Sequence, residues 1–257
     1  MTDNYETFKK QIYSLTNIDL DAYKENQMKR RIDSLISRSQ CRGYSDYVEL
    51  IRTNRDKFDE FVNYLTINVS EFWRNPEQWK ILEDKVFPDL LKSFNPKIWS
   101  AACSTGDEPY SLVMLLNKYI PINKINILAT DLDKQVLAKA KTGVYSNRSL
   151  KGLPPGFLGK YFRESDAGLY EISPEVKRCV NFKEHNLLRD TYPSACDLII
   201  CRNVLIYFTE EAKDAIFHKF GSSLKKGAYL FLGATEQILA PQKYGLTPIS
   251  SFFYKKD

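Results

Sequence analysis

Two adjacent carboxylates, Asp107 and Glu108, stand in the stretch "SAACSTGDEPYS" (Ser100–Ser111). Before it comes "KIW", which reads as the start of a buried strand; after it comes "LVMLL", which reads as a helix core. A strand, a tight turn of small residues and a helix is the usual cradle for a nucleotide-like ligand. A dinucleotide cradle spaces its glycines so that a pyrophosphate can approach the backbone and the helix N-terminus. Here Ala101, Ala102, Cys103, Ser104 and Thr105 keep the turn small, and Gly106 is its one glycine. The two acids repel a phosphate at short range and favour a cation. S-adenosylmethionine, an adenosine ligand with an ammonium and a sulfonium, meets both conditions, and Glu108 is the candidate contact to its cationic end. Acids in a first helical turn also complement the helix dipole, by ~0.3–1 kcal/mol each, so the turn alone leaves both readings open.

Asp131 shifts that balance. It ends "INILATD", the second strand of the pattern, and an acid there is where α/β nucleotide folds hold ribose hydroxyls. As a cap for the helix "KQVLAKA", Asp133 is better placed. Two later strand ends add candidates. "CVNFKE" is followed by Asn186 and Leu187, an amide and a backbone that could face an adenine ring. "CDLIICRNVLIYF" puts Arg202, Asn203 and Tyr207 at the same rim, although Tyr207 and Phe208 as an aromatic pair equally suit a core.

The elements that must position these residues fall into two patterns. Residues 1–68 read as a helical domain. Met28, Ile32, Leu35 and Ile36 form one apolar stripe, while Lys24, Arg31 and Arg38, spaced by seven, share another face. Gly43 ends that helix, Ser45 is a candidate N-cap for the next, and Phe58, Phe61, Val62 and Leu65 repeat the helical spacing. "NVSEFWRNPEQW" breaks periodicity, so residues 69–78 read as a linker; a helix follows with a bend or end near Pro88. From residue 79 to 257 the chain reads as one catalytic domain. Beyond Lys97, short apolar strands alternate with helices, which predicts an α/β fold: a mostly parallel sheet with helices on both faces. "GLYEIS" and "RCVNFKE" depart from this, predicting a small antiparallel insertion over about residues 161–184.

Composition bounds the function classes. The chain has 257 residues, 43% hydrophobic and 27% charged, as in a folded globular protein. The first residues lack the basic and apolar regions of a signal peptide, and no run is long enough to span a bilayer, so the expectation is a cytoplasmic protein without membrane insertion. The five cysteines form no C-x-x-C pair, and the two histidines have no partner at metal spacing, so no metal site is expected. Cys196 and Cys201 flank "DLII" and read as buried small hydrophobes. Net charge is +5, with basic residues gathered at Lys24, Lys29, Arg30, Arg31, Arg38 and Arg42.

In order along the chain, "TINVSEFWRN", "WSAACSTGDEPYSL", "ILATDLD", "HNLL", "CRNVLIYF" and "LGATEQI" closely resemble the chemotaxis receptor methyltransferases, the CheR family. The likeness runs from about residue 23 to the C-terminus. It implies a Rossmann-like class I S-adenosylmethionine-dependent methyltransferase that converts glutamates on the cytoplasmic methylation helices of chemoreceptors to methyl esters in sensory adaptation. It also implies an all-α N-terminal domain, a linker contributing to the active site, and a β-subdomain facing the receptor. Residues at the positions of Asn68, Ser70, Arg74, Glu108, Asp131, Asn186, Leu187, Arg202 and Asn203 lie around the cofactor in the family. Ser70 replaces a threonine found in some members and Trp73 a Phe or Tyr. Members that dock a tethered receptor peptide tend to have a glycine-rich loop in the β-subdomain, where this chain has "RESDAGLYEISPE".

This chemistry suits the residues. A glutamate with a pKa of ~4.3 is already ionised at neutral pH, so its methylation needs alignment and exclusion of water rather than a general base. A guanidinium beside a sulfonium makes sense as a clamp for the incoming carboxylate, which assigns Arg74 to orienting the substrate and Tyr207 to lining the methyl-transfer channel. Lys24, Lys29, Arg30, Arg31 and Arg38 would steer acidic receptor helices, with a solvated helix face as the alternative. A basic patch is also the footprint of nucleic-acid binding. The Asn/Asp-Pro-Pro-aromatic and Pro-Cys signatures of such methyltransferases are missing from the sequence, so no nucleic-acid partner is expected. A non-catalytic cofactor sensor is the remaining alternative, and a monomer is the default state.

Overall fold

The computed structural model describes residues 4–165 and 168–257. The chain divides into two compact units, one holding the residues up to Asn68 with Tyr207–Asp214, the other Val69–Ile206 with Ala215–Asp257.

The first unit contains α1 (Tyr5–Thr16), α2 (Glu25–Arg38), α3 (Tyr44–Thr53) and α4 (Arg55–Thr66). The stripe Met28, Ile32, Leu35 and Ile36 is buried with Phe8, Ile12, Tyr47 and Phe61. Helix α3 starts earlier than the Ser45 cap would place it: Gly43 is the cap and Tyr44 the first helical residue. Tyr44 is drawn in by its ring, 5.0 Å from that of Phe8, and by its hydroxyl, which donates to Asp33 at 2.5 Å. Tyr207–Asp214 belong to this unit rather than to the catalytic domain, where the sequence pattern put them. The Phe208 ring lies 4.9 Å from that of Tyr23, and Thr209 N donates to the Ala22 carbonyl at 2.9 Å. Such long-range pairing leaves no trace in local periodicity.

In the second unit, residues 69–75 are irregular. The linker is shorter than anticipated because α5 (Pro76–Ile81) opens at Pro76, where a missing N–H costs nothing. A π-type turn, Leu82–Val86, leads into α6 (Phe87–Leu90). Pro88, the second residue of α6, lacks the N–H that would bond the carbonyl four residues back, and the π-type turn immediately precedes it. The remaining elements are β1 (Ile98–Ala101), α7 (Asp107–Leu116), β2 (Ile127–Asp131), α8 (Lys134–Thr142), β3 (Val144–Ser146), α9 (Asn147–Leu150), α10 (Phe157–Tyr161), β4 (Phe162–Glu164), β5 (Leu169–Ile172), α11 (Pro174–Arg178), β6 (Val180–Glu184), β7 (Cys196–Cys201), α12 (Glu210–Ser223), β8 (Leu224–Leu232), β9 (Leu246–Ser250) and β10 (Phe253–Lys256).

The main sheet has the order β6-β2-β1-β7-β8-β10-β9. The run from β6 to β8 is parallel, and β10 and β9 add antiparallel at one edge. From β1 the chain winds outward through β2 to β6, then returns to β7 on the other side, so the topological switch point lies between β1 and β7. Ile98, Leu198 and Ile200 pack with Leu112 and Val113 of α7, while Trp99, on the opposite face, meets Phe220 of α12 at 5.7 Å. Helices therefore cover both faces.

The small antiparallel sheet is β3-β5-β4. This corrects the bounds of the insertion. Val180–Glu184 is an edge strand of the main sheet, parallel to β2 with Ile127 opposite Val180, and Val144–Ser146 joins the small sheet instead. An edge strand alternates buried and exposed residues just as an antiparallel one does, so alternation could not separate the two. Within the loop "RESDAGLYEISPE", Asp166 and Ala167 lie outside the described residues.

Candidate active site

The rim at the carboxyl ends of β1, β2 and β7 is shaped by backbone before side chains. In the turn after β1, Ala102 (φ 62), Ser104 (φ 48) and Gly106 (φ 88) are all left-handed. The turn is thus as sharp as a glycine-rich one, with only its last position requiring glycine. A Cβ on Gly106 would sit 3.0 Å from Ala140 Cβ and 3.2 Å from Phe182. The turn is pinned from outside: Cys103 N donates to the Thr130 carbonyl at 2.9 Å, Ser104 N to Asp131 Oδ2 at 2.8 Å, and the Tyr145 hydroxyl to the Thr105 carbonyl at 2.8 Å.

The two acids of the turn take different roles. Asp107 is buried, accepting from the Thr105 hydroxyl at 2.5 Å and from the Ser70 side chain, so it ties the linker to the helix start. Glu108 faces the sheet, where it accepts from Ser100 Oγ at 2.8 Å and pairs with Arg202, Nη1 to Oε2 3.5 Å. Burial pushes both carboxyls above the ordinary range, and Arg202 opposes this at Glu108. Asp131 also accepts from Asp133 N at 3.0 Å, and burial lifts its carboxyl to about 6.

Arg202 is the hub of the rim. Only 2% of its side chain is exposed, and Nη2 donates to the Arg74 carbonyl (2.9 Å), Asn75 Oδ1 (2.9 Å) and Gln78 Oε1 (2.8 Å). Its guanidinium therefore holds the linker against the sheet. Asn203 follows in the left-handed region (φ 62), its N–H given to Glu236 at 2.7 Å. Arg74 is half-buried, with Nη1 on the Val69 carbonyl at 3.3 Å. After β6, His185 N donates to the Asp131 carbonyl at 2.9 Å, which sets the next loop beside the β2 end. There Asn186 Oδ1 accepts from Leu188 N at 2.9 Å, and the Leu187 carbonyl accepts from the Tyr192 hydroxyl at 2.8 Å.

Asn68 and Tyr207 belong to the helical unit, Asn68 donating to Thr66 Oγ1 at 2.8 Å and the Tyr207 carbonyl accepting from Lys24 N at 2.9 Å. The basic face of that unit is sorted by the structure. Lys24 is the residue before α2 rather than a member of its face. Lys29 pairs with Asp33 at 2.8 Å, and Arg31 donates to the Tyr64 carbonyl at 2.6 Å. Lys24, Arg30 and Arg38 are exposed, Arg38 with its guanidinium 4.8 Å from the Tyr64 ring. Sequence reasoning did not single out Ser100, Ser104, Gln78 or Glu236; an acid in the quoted "LGATEQI" was the available signal for the last.

Residues 68–253 match the model of the "CheR methyltransferase, SAM binding domain" and residues 3–66 that of the "CheR methyltransferase, all-alpha domain". The chain belongs to the CheR methyltransferase family. It is 41% identical to the chemotaxis protein methyltransferase of Listeria innocua, over 98% of this chain and 97% of that one. It is 34% identical to chemotaxis protein methyltransferase 1 of Pseudomonas aeruginosa, over 91% and 90%. The chain is thus an S-adenosylmethionine-dependent methyltransferase.

The rim fits that cofactor of the CheR family. Ser104 Oγ is sealed from solvent and makes no hydrogen bond within the protein, an orphaned polar atom in the turn after β1. Asp131 ends β2 and Glu108 lies in the first turn of α7, so the turn between β1 and α7 is bordered by two acids, which suit a cationic ligand rather than a phosphate. Among the described residues, no group of His, Cys, Asp and Glu could hold a metal, and no helix is long and apolar enough to cross a membrane.

Proposed function

We propose that this CheR-family enzyme methylates glutamate side chains on the cytoplasmic helices of chemoreceptors, giving glutamate methyl esters and S-adenosylhomocysteine, as a cytoplasmic monomer serving adaptation in bacterial chemotaxis. The relatives' name supports the setting, and one observation supports the acceptor. Neither cysteine at the rim is poised as a nucleophile. Burial lowers the pKa of His185, whose Nε2 lies 3.3 Å from the Thr191 carbonyl, and pushes the Cys103 and Cys201 thiols well above their ordinary value. Such a site suits a substrate that arrives already ionised, as a glutamate does at neutral pH.

When bound, the cofactor supplies an electrophilic methyl group on a sulfonium. The chain's part is to bind, orient and keep water out. Asp131 would take the ribose hydroxyls, Glu108 with Ser100 the cationic amino-acid end, and Asn186 and Leu187 the adenine side; Ser70, Arg202 and Asn203 would complete the surround. Arg74 orients the incoming carboxylate with its planar fork, while its backbone is held by Arg202.

Labelled S-adenosylmethionine with a receptor cytoplasmic fragment tests this. The expected product is protein label released by mild base. Base-stable label, label in added RNA, or tight cofactor binding with no transfer would each reject the reading. Arg74→Ala is expected to lower methylation about a hundredfold, and a wild-type rate would remove Arg74 from its role.

A further inference from the structure

Glutamate is rarely buried unless its charge is matched, yet Glu236 is 5% exposed, in the loop after β8. Its match is backbone. Oε2 accepts from Asn203 N at 2.7 Å and from Gly233 N at 2.8 Å, and Oε1 accepts from Leu205 N at 2.6 Å. The Ile206 amide contributes as well. One carboxylate thus gathers the amides of the loop leaving β7 and joins them to the loop leaving β8.

Two further features show that this junction is built. Asn203 sits at φ 62, a left-handed conformation that asparagine adopts more readily than other side-chain-bearing residues, and its N–H is held there by Glu236. Gly233 has no room for a side chain, since a Cβ would lie 2.5 Å from Glu236 Oε2 and 2.8 Å from Asn203 N. The glycine lets the two loops close on the carboxylate, and the carboxylate holds the left-handed asparagine. One peptide bond before Asn203 is Arg202, whose guanidinium carries the linker and faces Glu108.

We infer that Glu236 is a positioning residue for cofactor binding: it does not touch the cofactor but fixes the backbone from which Arg202 and Asn203 project. This rests on the assignment of Arg202 and Asn203 to the cofactor surround, and not on the identity of the methyl acceptor. A carboxylate is needed because it only accepts. Glu236→Gln keeps the length but turns an NH2 toward backbone donors. Glu236→Asp keeps the charge but draws it back by one methylene.

The test is calorimetric titration of the full chain with S-adenosylhomocysteine, wild type against E236Q, with melting temperature followed in parallel. A merely structural role lowers the melting temperature and the competent fraction while the folded molecules keep their Kd. The inference expects Kd to rise about tenfold or more in E236Q at a stoichiometry near that of wild type. Kd within about twofold of wild type would overturn it. Should E236Q not fold, E236D decides by the same readout: a rise of about three- to tenfold is expected, and an unchanged Kd overturns the inference. Wild-type affinity for S-adenosylhomocysteine without transfer to receptor glutamates would reject the proposed substrate and leave this inference standing.

Discussion

Arg202 and Glu108 form a buried ion pair across the switch point of the sheet, Nη1 to Oε2 3.5 Å, with side chains 2% and 14% exposed. The pairing is longer than the bonds Arg202 makes to the neutral acceptors of Arg74, Asn75 and Gln78. Glu108 therefore supplies charge balance and the linker supplies hydrogen bonds. Arg202→Lys keeps the charge but replaces a planar fork by a single point that cannot serve both. The expected loss is roughly 2–4 kcal/mol of unfolding free energy, measured by urea denaturation, with weaker S-adenosylhomocysteine binding. Wild-type stability in R202K would show that the fork geometry is unimportant.

Asp131 should make cofactor affinity depend on pH. Its folded carboxyl is raised from 3.8 to about 6 by burial. In the free protein this carboxylate costs stability above about pH 6, and that cost disappears as pH falls through the window from 6 to about 4, where the folded state binds the extra proton. Ribose hydroxyls donate to the ionised form, so affinity falls below about pH 6, approaching tenfold per pH unit for one proton. The carboxyl of Glu108 is raised too and adds to the profile. Asp131→Asn should weaken binding at neutral pH and flatten the profile between about pH 5 and 7. A D131N profile as steep as wild type would move the titration to another group.

Gly106 is required by both conformation and space. Alanine there meets φ 88 and an Ala140 Cβ 3.0 Å away. Gly106→Ala should cost roughly 1–3 kcal/mol in unfolding free energy and widen the turn that carries Ser104. Ala102 and Ser104 are already left-handed, so their replacement by glycine should be near neutral or stabilising. A G106A variant as stable as wild type would contradict the fit drawn here.

These cases show what the sequence made legible. The strand-turn-helix around Glu108, the acid ending β2 and the Asp133 cap, whose side chain accepts from Gln135 N at 2.8 Å, follow from local pattern and composition. So does the buried stripe of α2. What stayed hidden depends on pairing at a distance. Arg202 follows a fully apolar strand and reads as a rim residue, but its side chain turns inward to partners 124 to 128 positions earlier. Strand β9 carries Pro248 and three exposed or half-buried neighbours, so it lacks the apolar run that marked β1 and β7. The left-handed Ala102 and Ser104 are imposed by bonds from Thr130, Asp131 and neighbours, and composition alone suggested only that the turn was small.

The basic face gives a prediction that separates steering from structure. Lys29 is neutralised by Asp33, and Arg31 is spent on the Tyr64 carbonyl, whereas Arg30 and Arg38 are exposed. If acidic receptor helices are attracted here, Arg30→Glu with Arg38→Glu should slow methylation several-fold at low salt. The gap should close as ionic strength rises, since the screening length is ~10 Å at 0.1 M and ~3 Å at 1 M. Cofactor affinity should stay at the wild-type value. Lys29→Gln should have a smaller effect on rate, because its charge is already balanced within α2. Equal slowing at low and high salt would point to a direct contact or a folding defect, and no slowing in the double variant would leave these arginines as a solvated helix face.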